Sequence, residues 1–139
     1  MKTIYSTTAT VTGGRDGHGR SADGALDVTL AVPREMGGEG KPGTNPEQLF
    51  AVGYAACFQS AIRHVARRQN KAITDSSVTA TVGLGPREAG GFQLAVDMEV
   101  RVAGISSEEA AELVRFVHAE ICPYSNAVRG NVDVRIRVI

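Results

Sequence analysis

The stretch Thr44-Asn45-Pro46-Glu47-Gln48-Leu49-Phe50-Ala51-Val52-Gly53-Tyr54-Ala55-Ala56-Cys57-Phe58 decides the fold. It opens as a helix opens. Asn45 can cap the first free backbone N–H groups, and Pro46 suits the first helical position, where no N–H is needed. Glu47 follows in the first turn, where the helix dipole favours a negative charge. From Leu49 to Phe58 there is no charged residue, which predicts a helix buried on most sides. Phe58, Ala61, Ile62, Val65 and Ala66 continue as an apolar stripe of helical period, and Arg63, Arg67 and Arg68 crowd the last turns, as suits a helix C-terminus. Cys57 lies inside the apolar run. The second cysteine, Cys122, lies far along the chain.

Outward from this helix, 139 residues with 42% apolar content suffice for one domain, residues 1–139, with its own core. Fifteen basic and fifteen acidic residues cancel, which argues against a nucleic-acid or polyanion binder. The run from Leu49 to Phe58 is too short to span a bilayer. Met1-Lys2-Thr3-Ile4-Tyr5-Ser6 has no apolar signal core, so the expected location is cytoplasmic. Thiols are kept reduced there, and a disulfide would be transient and functional rather than structural.

Towards the N-terminus, Thr-rich residues 3–12 read as a strand. Residues 13–24, with five glycines in the sequence Gly13-Gly14-Arg15-Asp16-Gly17-His18-Gly19-Arg20-Ser21-Ala22-Asp23-Gly24, read as a long turn-forming loop. Alternation of Leu26, Val28, Leu30 and Val32 predicts a second strand and a hairpin. Residues 33–43 form another Gly-rich loop, without the lysine-serine pair of a phosphate-binding loop. Towards the C-terminus, residues 78–84 and 92–102 alternate as two strands about a turn at 86–91. A capping box follows, with Ser106 as the cap and Glu109 three residues on. It starts a second helix marked by Ala110, Leu113, Val114, Val117 and Ile121. Pro123 stops that helix, because the residue before a proline is pushed out of helical geometry. Residues 124–131 are turn-rich, and Val132, Val134, Ile136 and Val138 mark a last strand. The order β-β-α-β-β-α-β predicts an α+β fold with mainly antiparallel sheet around the long helix.

The two sulfurs are either core filler or chemistry. Free cysteines are among the most buried residues, and apolar burial alone raises a thiol's pKa and makes it inert. Cys57 therefore needs a cation from elsewhere. Arg15, on a glycine-flanked loop, is a candidate, and otherwise a solvated loop residue. Glu47 can orient an arginine by a two-point hydrogen bond, or serve only the helix dipole. About ten residues of straight helix, roughly 15 Å, separate Glu47 from Cys57. If both act on one site, either the helix is broken or Glu47 comes from a second chain, and a homodimer with sites at its interface is predicted. Cys122, at a helix end before a proline, can move more easily than a mid-helix residue, as a resolving cysteine would. Two rival readings use the histidines. Cys57, His64, His118 and Cys122 pair on helix faces as a Cys₂His₂ zinc set would, but without short Cys-x-x-Cys loops. A Cys–His nucleophile would use His64 or His118, neither with an obvious orienting partner.

Four segments in order resemble the organic hydroperoxide resistance (Ohr) proteins of the Ohr/OsmC group, across about residues 7–138. They are Ala9-Thr10-Val11-Thr12-Gly13-Gly14-Arg15-Asp16-Gly17, then Thr44-Asn45-Pro46-Glu47-Gln48-Leu49-Phe50-Ala51, then Gly53-Tyr54-Ala55-Ala56-Cys57-Phe58, and Cys122-Pro123-Tyr124-Ser125-Asn126-Ala127. The resemblance implies a thiol peroxidase active in the oxidative stress response. Cys57 would be the peroxidatic residue and Cys122 the resolving one, with Arg15 and Glu47 as the supporting pair. It also implies an intertwined homodimer, a preference for organic and fatty-acid hydroperoxides, and reduction by dihydrolipoamide or lipoylated proteins, with no cofactor and no metal. Phe50, Tyr54 and Phe58 are candidates for contact with a bulky, greasy substrate. Arg20 lies outside the matched motif. The histidine-containing stretch at 18–20 and the turn at 86–88 depart from the family's pattern as loops. The alternative is a thiol module that senses oxidants without fast turnover.

Overall fold

The computed structural model describes residues 1–139, which form two compact units, Met1–Leu49 and Phe50–Ile139.

The first unit is built on a three-stranded antiparallel sheet, β1 (Ala9–Thr12), β2 (His18–Ser21) and β3 (Asp27–Thr29), in that order. β2 lies within residues expected to be loop. Glycine hides it in the sequence: Gly19 is its buried position, and a Cβ there would meet the side chains of Val11 and Val28 from the two flanking strands. The expected hairpin of the first two strands is thus a three-stranded meander. After β3, Leu30 N–H donates to Gly17 O, while Ala31 N–H donates to Thr44 O and Thr44 N–H to Thr29 O, each at 2.9 Å. These bonds draw the segment after Gly43 alongside β3 and bury Leu30 and Ala31.

α1 (Pro46–Arg68) starts at the end of the first unit and runs without a break for 23 residues. Asn45 Oδ1 accepts from the Gln48 N–H at 2.9 Å, the cap expected from sequence. Tyr54, Phe58, Ala61, Ile62, Val65 and Ala66 are its buried face. The expectation of burial on most sides needs correction in the first half: Val52 is 70% exposed and Ala56 is exposed. Val52 and Ala56, one turn apart, form an exposed apolar strip on that half of α1.

In the second unit β4 (Asp75–Pro86) and β5 (Phe92–Ala103) form an antiparallel hairpin, and β6 (Asp133–Val138) lies parallel to β5 in the order β4-β5-β6. Between β5 and β6 come α2 (Ser107–Phe116), a π-helical turn (Val117–Ile121) and α3 (Pro123–Val128). This crossover gives β6 its parallel sense, since a hairpin turn can only return a strand antiparallel. The Ser106–Glu109 capping box is formed in both directions, at 3.2 and 3.1 Å. α3 occupies residues expected to be turn; Pro123 is its first residue, where a proline is tolerated. Val96, Met98, Val100 and Val102 of β5 pack with the α1 stripe and with Ala110, Leu113 and Val114 of α2 in one core. No helix is long and apolar enough to cross a membrane.

Candidate active site

Arg15 and Glu47 meet within the first unit. Arg15 sits in a single 3₁₀ turn (Gly14–Asp16) entered through Gly13 at φ 76°. That left-handed conformation suits glycine, and it turns the chain sharply between β1 and β2. The bonds of Leu30 to Gly17 and of Thr44 to Thr29 then bring the start of α1 beside this turn. The result is a two-pronged pair: Arg15 Nη1 donates to Glu47 Oε2 at 2.7 Å and Arg15 Nη2 to Glu47 Oε1 at 2.6 Å. The Arg15 hydrogen bond holds the Glu47 carboxyl below its usual range against the opposing effect of burial. Glu47 in turn raises the Arg15 pKa. With both carboxylate oxygens engaged on one edge, the guanidinium is fixed in plane and keeps its remaining N–H donors for another anion.

Cys57 and Cys122 meet within the second unit. Their sulfurs lie 3.6 Å apart and both thiols are free. Cys122 ends the helical run before Pro123, the place expected from sequence, and it is fully buried there as the capping residue of α3, with its N–H held by Val117 O at 2.9 Å. The π turn followed by Pro123 breaks the helical run here and points the sulfur inward at α1. Burial pushes the half-buried Cys57 thiol above its ordinary pKa; the Tyr124 backbone N–H acts in the opposite sense, and the Cys122 thiol adds to the rise. Its own unit therefore offers Cys57 one amide donor and no cation that lowers its pKa.

Tyr54 and Ser125, both fully buried, join hydroxyls at 2.9 Å, and Ser125 Oγ lies 3.0 Å from His118 Nδ1. Ser125 escaped the sequence reading as a site residue; its place one helical turn after Cys122 was the available signal. Of the three aromatic candidates, Phe58 is fully buried in the core. Phe50 is half-buried, packs against the rings of Tyr54 and Tyr124 at centroid distances of 6.0 and 6.1 Å, and lines a groove of about 600 Å³ with Leu84, Arg87, Phe92, Leu94 and Val128. No group of three or more His, Cys, Asp or Glu side chains lies together as ligands for a metal ion.

The OsmC-like protein family model matches residues 37–137. The organic hydroperoxide resistance protein of Xanthomonas axonopodis pv. citri is 48% identical over 136 residues, which cover 97% of this chain and 94% of that one. Among solved structures, an organic hydroperoxide resistance protein from Legionella pneumophila superposes with a TM-score of 0.94 at 52% identity, covering 99% of this chain and 98% of the other. The organic hydroperoxide resistance protein OhrB of Bacillus subtilis superposes at 0.90 and 46% identity, with coverage of 99% and 100%.

Proposed function

The chain belongs to the OsmC-like protein family, among its organic hydroperoxide resistance members, and from that premise we propose that it is a cysteine-based peroxidase that reduces organic hydroperoxides, including fatty-acid hydroperoxides, to alcohols. The observation that carries this reading is the 3.6 Å approach of two free sulfurs from distant parts of the chain. Inert core cysteines have no reason to meet.

The Cys57 thiolate attacks the terminal oxygen of the hydroperoxide; the O–O bond breaks, Cys57 becomes a sulfenic acid, and the alkoxide takes a proton to leave as the alcohol. Arg15 serves both ends of this step. It stabilises the thiolate, offsetting the rise that burial imposes, and meets the charge growing on the departing oxygen. Glu47 keeps it in that orientation. The Cys122 thiol then condenses with the sulfenic acid, forming the Cys57–Cys122 disulfide and releasing water. A dithiol, dihydrolipoamide free or on a lipoylated protein, reduces the disulfide by exchange. The net change is one hydroperoxide and one dithiol to one alcohol, one water and one disulfide.

We assign Arg15 and Glu47 to the partner's Cys57 in a homodimer. Two observations support this. α1 is unbroken, so Glu47 cannot fold back along its own helix to Cys57. Val52 and Ala56 also leave an apolar strip on α1 exposed in the single chain, as an interface would require.

Mass spectrometry after one equivalent of an organic hydroperoxide tests the reading. The expected product is a Cys57–Cys122 link that a dithiol reverses through many turnovers. Cys57→Ser should consume no hydroperoxide, and Cys122→Ser should react once and stop. Full activity in Cys57→Ser overturns the proposal; one slow oxidation without turnover favours an oxidant sensor.

A further inference from the structure

A short polar chain crosses the apolar core of the second unit. Tyr54 and Ser125 are both 0% exposed, and Tyr54 belongs to the same core cluster as Phe58, Leu113 and Val117. A buried hydroxyl without a partner is costly, and here none is unpartnered: Tyr54 Oη meets Ser125 Oγ at 2.9 Å, and Ser125 Oγ meets His118 Nδ1 at 3.0 Å. Two of its three members are tied to a reactive sulfur through the backbone. Tyr54 precedes Cys57 by one turn of α1, and Ser125 follows Cys122 by one turn at the start of α3. Both side-chain hydrogen bonds made by α3 come from Ser125, so this hydroxyl fastens the Cys122 segment to α1 on one side and to the π turn on the other.

We infer that the Tyr54–Ser125–His118 chain is the positioning device of the resolving step: it holds Cys122 within bonding reach of Cys57 and so decides how quickly the oxidised sulfur is captured as a disulfide. The inference rests on the peroxidase reading above. In the step itself the Cys122 S–H bond and the Cys57 S–OH bond break, the S–S bond forms, and hydrogen and hydroxyl leave as water. The polar chain neither gains nor loses a proton; it acts through placement alone.

Donor and acceptor roles give the chain a direction. With His118 neutral and Nδ1 unprotonated, Tyr54 O–H donates to Ser125 and Ser125 O–H donates to His118. A protonated imidazole has no lone pair at Nδ1 and donates there instead, so Ser125 must turn its hydrogen to Tyr54 Oη, the chain reverses, and the Tyr54 O–H loses its acceptor. The groups facing His118 are Arg129, whose guanidinium donates to the His118 carbonyl at 2.6 Å, and the Phe58 ring at 6.4 Å. Tyr54 is faced by Ser125, Cys122, Cys57 and Arg129. Burial first and Arg129 second push the His118 pKa below its ordinary value, so the ordered direction prevails at neutral pH and fails in acid.

The experiment is a partition. The reduced full-length protein is oxidised with one equivalent of organic hydroperoxide in the presence of a sulfenic-acid trap such as dimedone, and the ratio of Cys57–dimedone adduct to Cys57–Cys122 disulfide is read by mass spectrometry. The ratio does not depend on how fast Cys57 is first oxidised. Ser125→Ala should raise it about tenfold, the effect of losing roughly one hydrogen bond of placement. Tyr54→Phe, which keeps the ring, should do the same and serves if Ser125→Ala does not fold. His118→Asn retains an acceptor near Nδ1 and should keep the low ratio while losing its rise in acid; His118→Leu should behave as Ser125→Ala. An unchanged ratio in Ser125→Ala and His118→Leu, with the wild type forming its disulfide, overturns the inference. Neither adduct nor disulfide in the wild type overturns the peroxidase reading instead.

Discussion

The sulfur of Cys122 lies 3.6 Å from that of Cys57 while Cys122 itself is 0% exposed. A disulfide bond is about 2.05 Å long, so closure asks for an approach of roughly 1.5 Å rather than the unfolding of a helix end. We predict that oxidation leaves α1 intact. Amide hydrogen exchange in the second unit should change only across residues 117–128, and faster exchange along the Tyr54–Ala66 stretch of α1 would refute a preformed pair.

The Arg15–Glu47 fork makes a pH-dependent contribution to stability. The folded-state pKa of Glu47 is depressed, chiefly by the hydrogen bonds from Arg15. Its contribution is therefore fully present above the unfolded carboxylate value of about 4.3 and is lost as pH falls through the lower folded value. Arg15 is 36% exposed, and solvent screening limits the pair to about 1 kcal/mol or less. Urea unfolding should show Glu47→Gln less stable than the wild type at neutral pH, with the difference vanishing in strong acid. A difference that persists there would assign the loss to packing rather than to the ion pair.

The aromatic candidates separate by burial. Phe58 has no exposed surface and belongs to the core cluster. Phe58→Ala should cost about 3–5 kcal/mol by leaving a cavity, measured as a fall in the denaturant midpoint. Phe50 is half-buried at the edge of the groove. Phe50→Ala should cost less stability and raise KM for a long-chain hydroperoxide more than for tert-butyl hydroperoxide. Equal effects on both substrates would remove Phe50 from the substrate contacts.

Much of this was legible in sequence because the signals were local. Asn45, Pro46 and the Ser106–Glu109 box each act within one helical turn, and the capping bonds they announce are present. Alternation along β5 announced the strand because its core-facing positions are large and apolar. β2 was illegible because its buried residue is a glycine, which carries no hydrophobic signal. The parallel sense of β6 depends on a crossover, which no property of β6 itself encodes. The exposed strip on α1 was hidden for another reason: an apolar sequence reports that a face is to be covered, not whether its own chain covers it. The two cysteines could be singled out, but their contact depends on a π turn that has no simple sequence mark. Ser125 was hidden in the same way, since a serine near a proline reads as turn until its partners are placed.

Sharing of the site between two copies can be tested without another structure. Val52, 70% exposed on α1, should tolerate no charge if a second copy covers it, so Val52→Asp should shift the protein towards monomer in sedimentation. The sharper test mixes two inactive variants. Cys57→Ser lacks the nucleophile and Arg15→Ala lacks the cation. If each site takes its sulfur from one copy and its guanidinium from the other, a mixed dimer has one intact site: the Cys57 of the Arg15→Ala copy faces the Arg15 of the Cys57→Ser copy. Random reassociation of equal amounts makes about half the dimers mixed, each with one working site of two, so about a quarter of wild-type activity should return. If Arg15 and Cys57 act within one copy, every site in the mixture is defective and no activity returns. The same design with Glu47→Gln in place of Arg15→Ala should recover activity in parallel, because Glu47 acts only through the arginine it holds.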